Sequence, residues 1–490
     1  MSSNSNSSKV IKGVSYQTLV TIGLGVLEVV VFSIMSRLLS QVDFGYYAAI
    51  TAVTAIFTGL SDTGIGSALI QQKTIDSKYI NNAFTISLGF GVILAAILCF
   101  TAGFLSKLIV DSKLKMPLML MSITLVCNSL ASVNLSILQR KLQFLTMGVV
   151  NLIALIVSSS VAIYLAYKGW GFYAIVTRAI LTAFLLMVVS WLFARTRFAL
   201  EFDYEIFKSI FRFSGWLTAS GIVRDLALQV DRLLMARLLS VQSLGAYNRP
   251  KEFVTQISGK INGIFDTVLF PILSGIQDEK TKLGAAFTRS LYYMNILSAL
   301  LALSFILNSS LIIRVFLGVD WLNLRLVFCL LSIALVFNID ARLSDCYLRS
   351  LGLTKEQFFF RLLQLGLQVI GVFVGANWDI AGVAISVIVA NAIVVFVKLA
   401  FIAIKIDVSK KAAIKSVIEA WKVCLLLLPL AICVIPLFPK SLSGDILYAM
   451  YYVLIIFLPI IIFPSIFGHR FRIEVYDVVF NKLTTNYLKK

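Results

Sequence analysis

Fourteen stretches of this chain are each apolar over about 20 residues, the length a helix needs to cross ~30 Å of hydrocarbon, and only short polar connections separate them. Hydropathy places them at about 13–35, 46–68, 83–105, 117–138, 147–167, 171–194, 214–236, 253–273, 290–313, 324–343, 357–376, 378–401, 417–437 and 446–467. The fold class that follows is an all-α polytopic membrane protein of about 14 transmembrane helices. No connection has room for a soluble catalytic domain, the longest running from about Arg195 to Phe213. The first stretch follows a Ser/Asn-rich start and lacks a small-residue cleavage signature, so it reads as a retained helix and not a signal peptide.

A repeated phrase divides the chain. Arg37-Leu38-Leu39-Ser40 with Gly45 and Tyr47 returns two hundred positions later as Arg237-Leu238-Leu239-Ser240 with Gly245 and Tyr247, each copy ending one apolar stretch and opening the next. Parallel repeats of this kind build transporters with a substrate site between two lobes. The expected organisation is an N-terminal lobe of six helices over 1–212, a second lobe of six over 213–404, and two further helices with a tail over 405–490. The phrase itself also reads as a plain interfacial turn with aromatic anchoring.

An even helix count puts both ends on one side, and charge chooses which. With the N-terminus cytoplasmic, the inward connections hold 27 Lys and Arg and the outward ones 9, the bias expected of cytoplasmic loops. Much of the net charge of +19 is therefore topological. These cations are scattered over short loops and form no single basic face, so nucleic-acid binding explains them poorly. The one histidine, His469, lies beyond the last stretch. Cys99, Cys127, Cys329, Cys346, Cys424 and Cys433 stand singly in apolar context, as small packing residues do. No zinc site, nucleophilic triad, Walker loop or dinucleotide motif is present, so neither metal nor cofactor is expected.

Polar residues inside the stretches carry what remains. Gln17, Thr21, Gly25 and Glu28 share a helical face, as do Thr51, Thr54, Thr58 and Asp62, then Thr218, Gly221, Asp225, Gln229 and Arg232, then Gln256, Lys260, Gly263 and Thr267. An ionised group in hydrocarbon costs at least about 2.5–3.5 kcal/mol, so such faces point into a wet cavity or at one another. Arg224 with Asp231, and Asp225 with Arg232, are seven apart and read equally as ion pairs that hold a bundle together. The second half keeps a surplus of cations, Arg224, Arg232, Arg249, Lys251, Lys260 and Arg342, which suits an anionic guest. A guanidinium fork holds phosphate oxygens through two charge-assisted bonds. Arg178 in the sixth stretch is a further candidate contact, or a donor to a neighbouring helix. Glu28, Asp62, Asp225 and Asp231 are candidates for binding a coupling proton or sodium ion, or for interhelical hydrogen bonds. Gly89, Gly91, Gly366 and Gly371 read as close-packing positions.

Several phrases resemble those of a family. They are Ser61-Asp62-Thr63-Gly64-Ile65-Gly66-Ser67-Ala68-Leu69-Ile70-Gln71-Gln72-Lys73, Leu138-Gln139-Arg140-Lys141-Leu142-Gln143-Phe144, Gln229-Val230-Asp231-Arg232-Leu233-Leu234, Leu244-Gly245-Ala246-Tyr247-Asn248-Arg249 and Val268-Leu269-Phe270-Pro271-Ile272-Leu273-Ser274. The chain is similar to the polysaccharide transport family, in the branch of the colanic acid and teichuronic acid exporters. These are Wzx-like flippases of the multidrug/oligosaccharidyl-lipid/polysaccharide superfamily. The resemblance implies two six-helix lobes arranged as a V in the bacterial inner membrane, with both termini cytoplasmic. Its implied cargo is an undecaprenyl-diphosphate-linked oligosaccharide for O-antigen, lipopolysaccharide or exopolysaccharide synthesis. The cationic cavity, here Arg224, Arg232 and Lys260 by position, would hold the diphosphate. A polysaccharide polymerase and a chain-length regulator are the implied partners of a monomeric, non-enzymatic carrier.

Two other classes share part of this pattern. A drug or cation antiporter would have the same architecture with a more acidic cavity. A membrane glycosyltransferase or polymerase would carry catalytic acids in a large outward loop, where this chain offers only Asp111 and Asp320 in modest ones.

Overall fold

The computed structural model describes residues 23–422 apart from 62–64, 67–68, 70–75, 110–111, 142, 197, 266–268, 410, 412–413 and 420, together with Leu447 and Tyr451; the side chains at 144, 209–220, 260–262 and 264 lie outside it. All regular structure among the described residues is helical, in twelve long helices. α1 is described over 23–38. There follow α2 Gln41–Ser61, α3 Ser77–Ile109, α4 Lys115–Arg140, α5 Phe144–Tyr167, α6 Phe172–Ala194, α7 Tyr204–Leu238, α8 Val241–Ile264, α9 Lys280–Leu307, α10 Arg325–Ser350, α11 Thr354–Gly375 and α12 Asp379–Lys405. They coincide in order with the first twelve hydropathy stretches. The two stretches expected at 417–437 and 446–467 fall almost wholly outside the described residues.

Among the described residues eight segments are long and apolar enough to cross a bilayer, and α7 and α8 are not among them. α7 carries Arg224, Asp225, Asp231 and Arg232, and α8 carries Arg249, Lys251, Glu252 and Lys260, so both fall short on composition despite their lengths. These two helices carry two of the four polar faces read from the sequence.

Local chemistry sets the helix ends. The Asp76 carboxylate accepts the Tyr79 N–H at 2.8 Å at the start of α3, and Asp203 caps α7 by accepting from Glu205 N at 2.9 Å. α5 turns into α6 through Gly169 and Gly171, both at positive φ. Within α2 the hydroxyls of Thr51, Thr54 and Thr58 return to carbonyls one turn earlier, at 2.9, 3.1 and 2.9 Å. The three hydroxyls of the polar face read on that helix are therefore satisfied by its own backbone.

The chain divides into two compact units, one of residues up to Arg249 with 316–318 and 361–387, the other of 250–315, 319–360 and 388 onward. In the first unit α3 packs on α4, α4 and α5 on α6, and α2 on α7. A core of Ile65, Leu69, Ala83, Phe84, Ile86, Val133 and Ile137 lies between α3 and α4. Phe198 stacks on Phe84 at 4.2 Å, which draws the connection after α6 onto this core. That connection is shorter than hydropathy suggests, because α7 begins at Tyr204. It is strapped to the start of α3: Ala199 N donates to Asn81 Oδ1 and Glu201 N to Thr85 Oγ1, each at 3.1 Å, and Asp203 N donates to Asn82 Oδ1.

The two copies of the repeated phrase meet inside this unit. A Cβ on Gly45 would stand 1.8 Å from the Val241 carbonyl oxygen, and one on Gly245 would stand 1.7 Å from the Gln41 carbonyl oxygen. Gln41 and Val241 open α2 and α8, and each lies two hundred positions from its counterpart. The contact is reciprocal, 41 with 245 and 45 with 241, and both crossing positions lack a side chain. A Cβ on Gly91 would likewise stand 2.4 Å from Ser129 Oγ, and one on Gly371 would stand 3.3 Å from Ser386 Cβ, as close-packing glycines should. Gly89 and Gly366 have nothing within 4 Å, so the packing role expected of them is not found.

In the second unit α9 packs on α10. Phe253, Phe305 and Phe328 form an aromatic cluster with centroids 5.9 to 6.2 Å apart. Phe287 meets Tyr347 edge-on at 5.0 Å. Cys127 and Cys346 are buried and Cys99 and Cys329 half-buried, in keeping with packing residues.

Candidate functional site

The densest group of charged side chains expected to act lies on the C-terminal half of α7. Arg224 Nε donates to Asp225 Oδ1 at 2.8 Å, with the Arg224 side chain 48% exposed and Asp225 17%. No other protein partner takes up the two Nη groups of Arg224 among the described residues. Asp225 is received by α2 at Gly59, where a Cβ would come within 2.3 Å of its Oδ2. About two turns on, Arg232 Nη1 donates to Gln229 Oε1 at 2.8 Å, while its Nε is buried without a hydrogen-bond acceptor among the described residues. Asp231 is 2% exposed; its Oδ2 accepts from the Tyr247 hydroxyl at 2.9 Å and its Oδ1 from the Arg232 backbone N–H.

The pairs seven apart do not form. Seven residues of helix rise about 10 Å, beyond the reach of a direct ion pair along one helix, so Arg224 takes its neighbour Asp225 and Asp231 takes Tyr247 from α8. Arg232 is left with a neutral amide and one unmet donor. An exposed guanidinium with a free edge and a second, incompletely satisfied one stand eight residues apart on one helix, ~12 Å along its axis.

Arg249 sits elsewhere. It is 5% exposed, donates through Nε to Ser36 Oγ at 2.8 Å and through Nη2 to the Phe32 carbonyl at 2.7 Å, and lies 3.4 Å from the Phe32 ring centre and 4.1 Å from that of Phe44. This guanidinium clamps the start of α8 to α1 and α2 through cation–π contact and hydrogen bonds. Arg178 on α6 donates to Ser159 on α5 at 3.1 Å, next to a Thr182–Ser158 bond of 2.8 Å, the role of a donor to a neighbouring helix. Arg342 lies partly buried on α10 in the second unit, and Glu28 partly buried on α1. Asp62 and the side chain of Lys260 lie outside the described residues.

Sequence reasoning missed several participants. Tyr247, Ser36 and Phe32 are the partners that decide how Asp231 and Arg249 are used; the repeated phrase marks Tyr247, though not as the partner of Asp231, and nothing in their spacing marks Ser36 and Phe32. Lys398 reads as a loop cation, yet it is 1% exposed and its Nζ meets Asp345 Oδ1 at 2.8 Å. Asp340 and Asn295 are buried polar residues within the tenth and ninth stretches, and a scan of every stretch for Asp and Asn would have found both.

A family model described as polysaccharide biosynthesis protein matches residues 34–326, more than half of the chain. The chain belongs to this family. Among curated relatives, the lipopolysaccharide biosynthesis protein WzxC of Escherichia coli (strain K12) is 25% identical over 60% of this chain and 60% of its own length. The teichuronic acid biosynthesis protein TuaB of Bacillus subtilis (strain 168) is 22% identical over 64% of this chain and 65% of its own. The match thus spans about 60% of the length of such relatives. Among solved structures, the lipid II flippase MurJ in an inward closed conformation aligns over 92% of this chain and 98% of its own at a TM-score of 0.72 and 15% identity. An inward-facing multidrug resistance MATE family transporter aligns over 78% of this chain at 0.58. At these identities the likeness is one of fold, a polytopic helical membrane fold.

Proposed function

We propose that this protein of the polysaccharide biosynthesis family is a flippase that carries an undecaprenyl-diphosphate-linked oligosaccharide across the bacterial inner membrane by alternating access. The supporting observation is the cationic stretch of α7, where among the described residues both Nη groups of Arg224 lack a protein partner and the buried Nε of half-buried Arg232 lacks an acceptor. A guanidinium fork with open donors suits a diphosphate, and an unmet buried donor is costly until a ligand fills it. WzxC and TuaB, by their names, serve lipopolysaccharide and teichuronic acid synthesis, and MurJ is named a lipid II flippase. Lys260, Arg342, Arg178 and Arg249 complete the proposed set as contacts or as supports, with Arg249 acting through helix packing.

On this reading the headgroup and glycan occupy a cleft between lobes of residues 1–212 and 213–404, and the polyprenyl tail stays in lipid. Two helices over 405–490 bring the count to fourteen and both termini to the cytoplasm. The carrier works as a monomer without covalent chemistry and hands its cargo to a polymerase governed by a chain-length regulator. The test is flipping of a fluorescent polyprenyl-diphosphate oligosaccharide in proteoliposomes. Arg224→Ala with Arg232→Ala should lower the rate by at least about tenfold, the loss of roughly 1.5–3 kcal/mol expected for charged hydrogen bonds. Undiminished flipping by correctly inserted double variant would refute the headgroup assignment, and export of an organic cation instead would favour the antiporter.

A further inference from the structure

Asn295 on α9 and Asp340 on α10 meet inside the second unit, 0% and 4% exposed. Asn295 Nδ2 donates to the Leu291 carbonyl of its own helix at 2.9 Å and to Asp340 Oδ1 at 3.0 Å. The two acceptors use both amide hydrogens and fix the carboxamide's orientation, since turning it over would set its oxygen against two other oxygens. The amide oxygen, Asn295 Oδ1, is then buried with no hydrogen-bond donor. Asp340 forms no ion pair among the described residues. Of the other titratable groups on these two packed helices, Arg289 and Tyr292 lie on α9 and Arg342 and Asp345 on α10, and Asp345 holds Lys398 of α12.

Among the described residues, an ionised carboxylate here would be held by a single side-chain hydrogen bond with no ion pair, beside an amide oxygen that lacks a donor. One proton resolves both deficits. It removes the uncompensated charge on Asp340 and turns the acid that already accepts the Asn295 amide N–H into a donor, the kind of group Asn295 Oδ1 lacks. We propose that Asp340 is a proton-binding carboxyl of the second unit, with Asn295 as its receptor, and that protonation there couples a proton gradient to flipping. The coupling half of this inference rests on the transport reading above; the proton site does not. A sodium ion held by the carboxylate and the amide oxygen is the rival occupant.

The full-length protein in lipid nanodiscs tests the site by infrared difference spectroscopy. The expected result is a protonated-carboxyl carbonyl band that disappears in alkali, is absent from Asp340→Asn and shifts in Asn295→Ala, each variant being checked for a monodisperse folded state. The same band in Asp340→Asn overturns the proposal. So does sodium chloride that removes the band from the wild type, because the occupant is then sodium. In proteoliposomes, a pH gradient should accelerate flipping of a labelled polyprenyl-diphosphate oligosaccharide by the wild type, and Asp340→Asn should retain basal exchange with that stimulation lost. Stimulation that persists in Asp340→Asn overturns the coupling. A wild type that shows the band but never moves the probe overturns the transport reading and leaves the proton site in place.

Discussion

A basic side chain in an apolar helix takes its role from its surroundings, and Arg249 and Lys398 show two outcomes. Arg249 places a flat cation between the rings of Phe32 and Phe44 while donating to Ser36 and to the Phe32 carbonyl. Lysine has the charge but neither the plane nor the fork. Arg249→Lys should therefore destabilise the protein by about 1–3 kcal/mol, read as a shift in chemical unfolding in micelles. Lys398 is buried against Asp345, and Lys398→Met removes that cation from a carboxylate only 15% exposed. The expected cost is roughly 3–5 kcal/mol by the same measurement. Both residues are visible in the sequence as charges near helix ends. Their partners are not, because Ser36 lies 213 positions from Arg249, and Asp345 lies 53 from Lys398 on a different helix.

Helices, by contrast, are legible from sequence to the extent that backbone and composition decide them. Twelve stretches became twelve helices in order, and the repeat at Gly45 and Gly245 marked equivalent places. What spacing could not say is that the two copies touch. The distinction is testable at single glycines. Gly45→Ala or Gly245→Ala puts a methyl group within 2 Å of a backbone carbonyl that cannot yield without moving a helix, so loss of folded yield on size-exclusion chromatography is expected. Gly89→Ala and Gly366→Ala meet nothing within 4 Å and should be neutral or stabilising by up to about 1 kcal/mol. A second element-level device is the junction of α3 and α7. The Lys78 ammonium at 2.6 Å, with the amides of Ile206 and Glu205, holds the half-buried Asp203 carboxyl below the usual carboxylate range. A lowered value in the folded state contributes stability above the unfolded value and loses it as pH falls through the folded one. Acidification into that low range should speed hydrogen exchange at Glu205 and Ile206, and Asp203→Asn should do so already at neutral pH.

At the scale of the whole molecule, the distribution of charge makes one prediction that individual contacts do not. Lys and Arg fall 27 to 9 in favour of the side shared by both termini if fourteen helices span the membrane. The bias acts through short loops near helix ends, which describes nearly every connection in this chain. Some of those cations are spoken for within the fold, since Lys398 is buried against Asp345 and Arg361 is 9% exposed. Removing these two leaves the majority intact, so the orientation does not hang on any single residue. Cysteines introduced at Ser5 and Asn486 should both react with an impermeant maleimide only after inside-out vesicles expose the cytoplasmic face, and one at Lys168, in the connection from α5 to α6, should react in intact spheroplasts. Opposite labelling of Ser5 and Asn486 would mean an odd number of crossings and would remove the paired-helix extension over 405–490. Agreement at the termini with protection at Lys168 would instead invert the whole molecule, and with it the face from which Arg224 and Arg232 first meet a diphosphate.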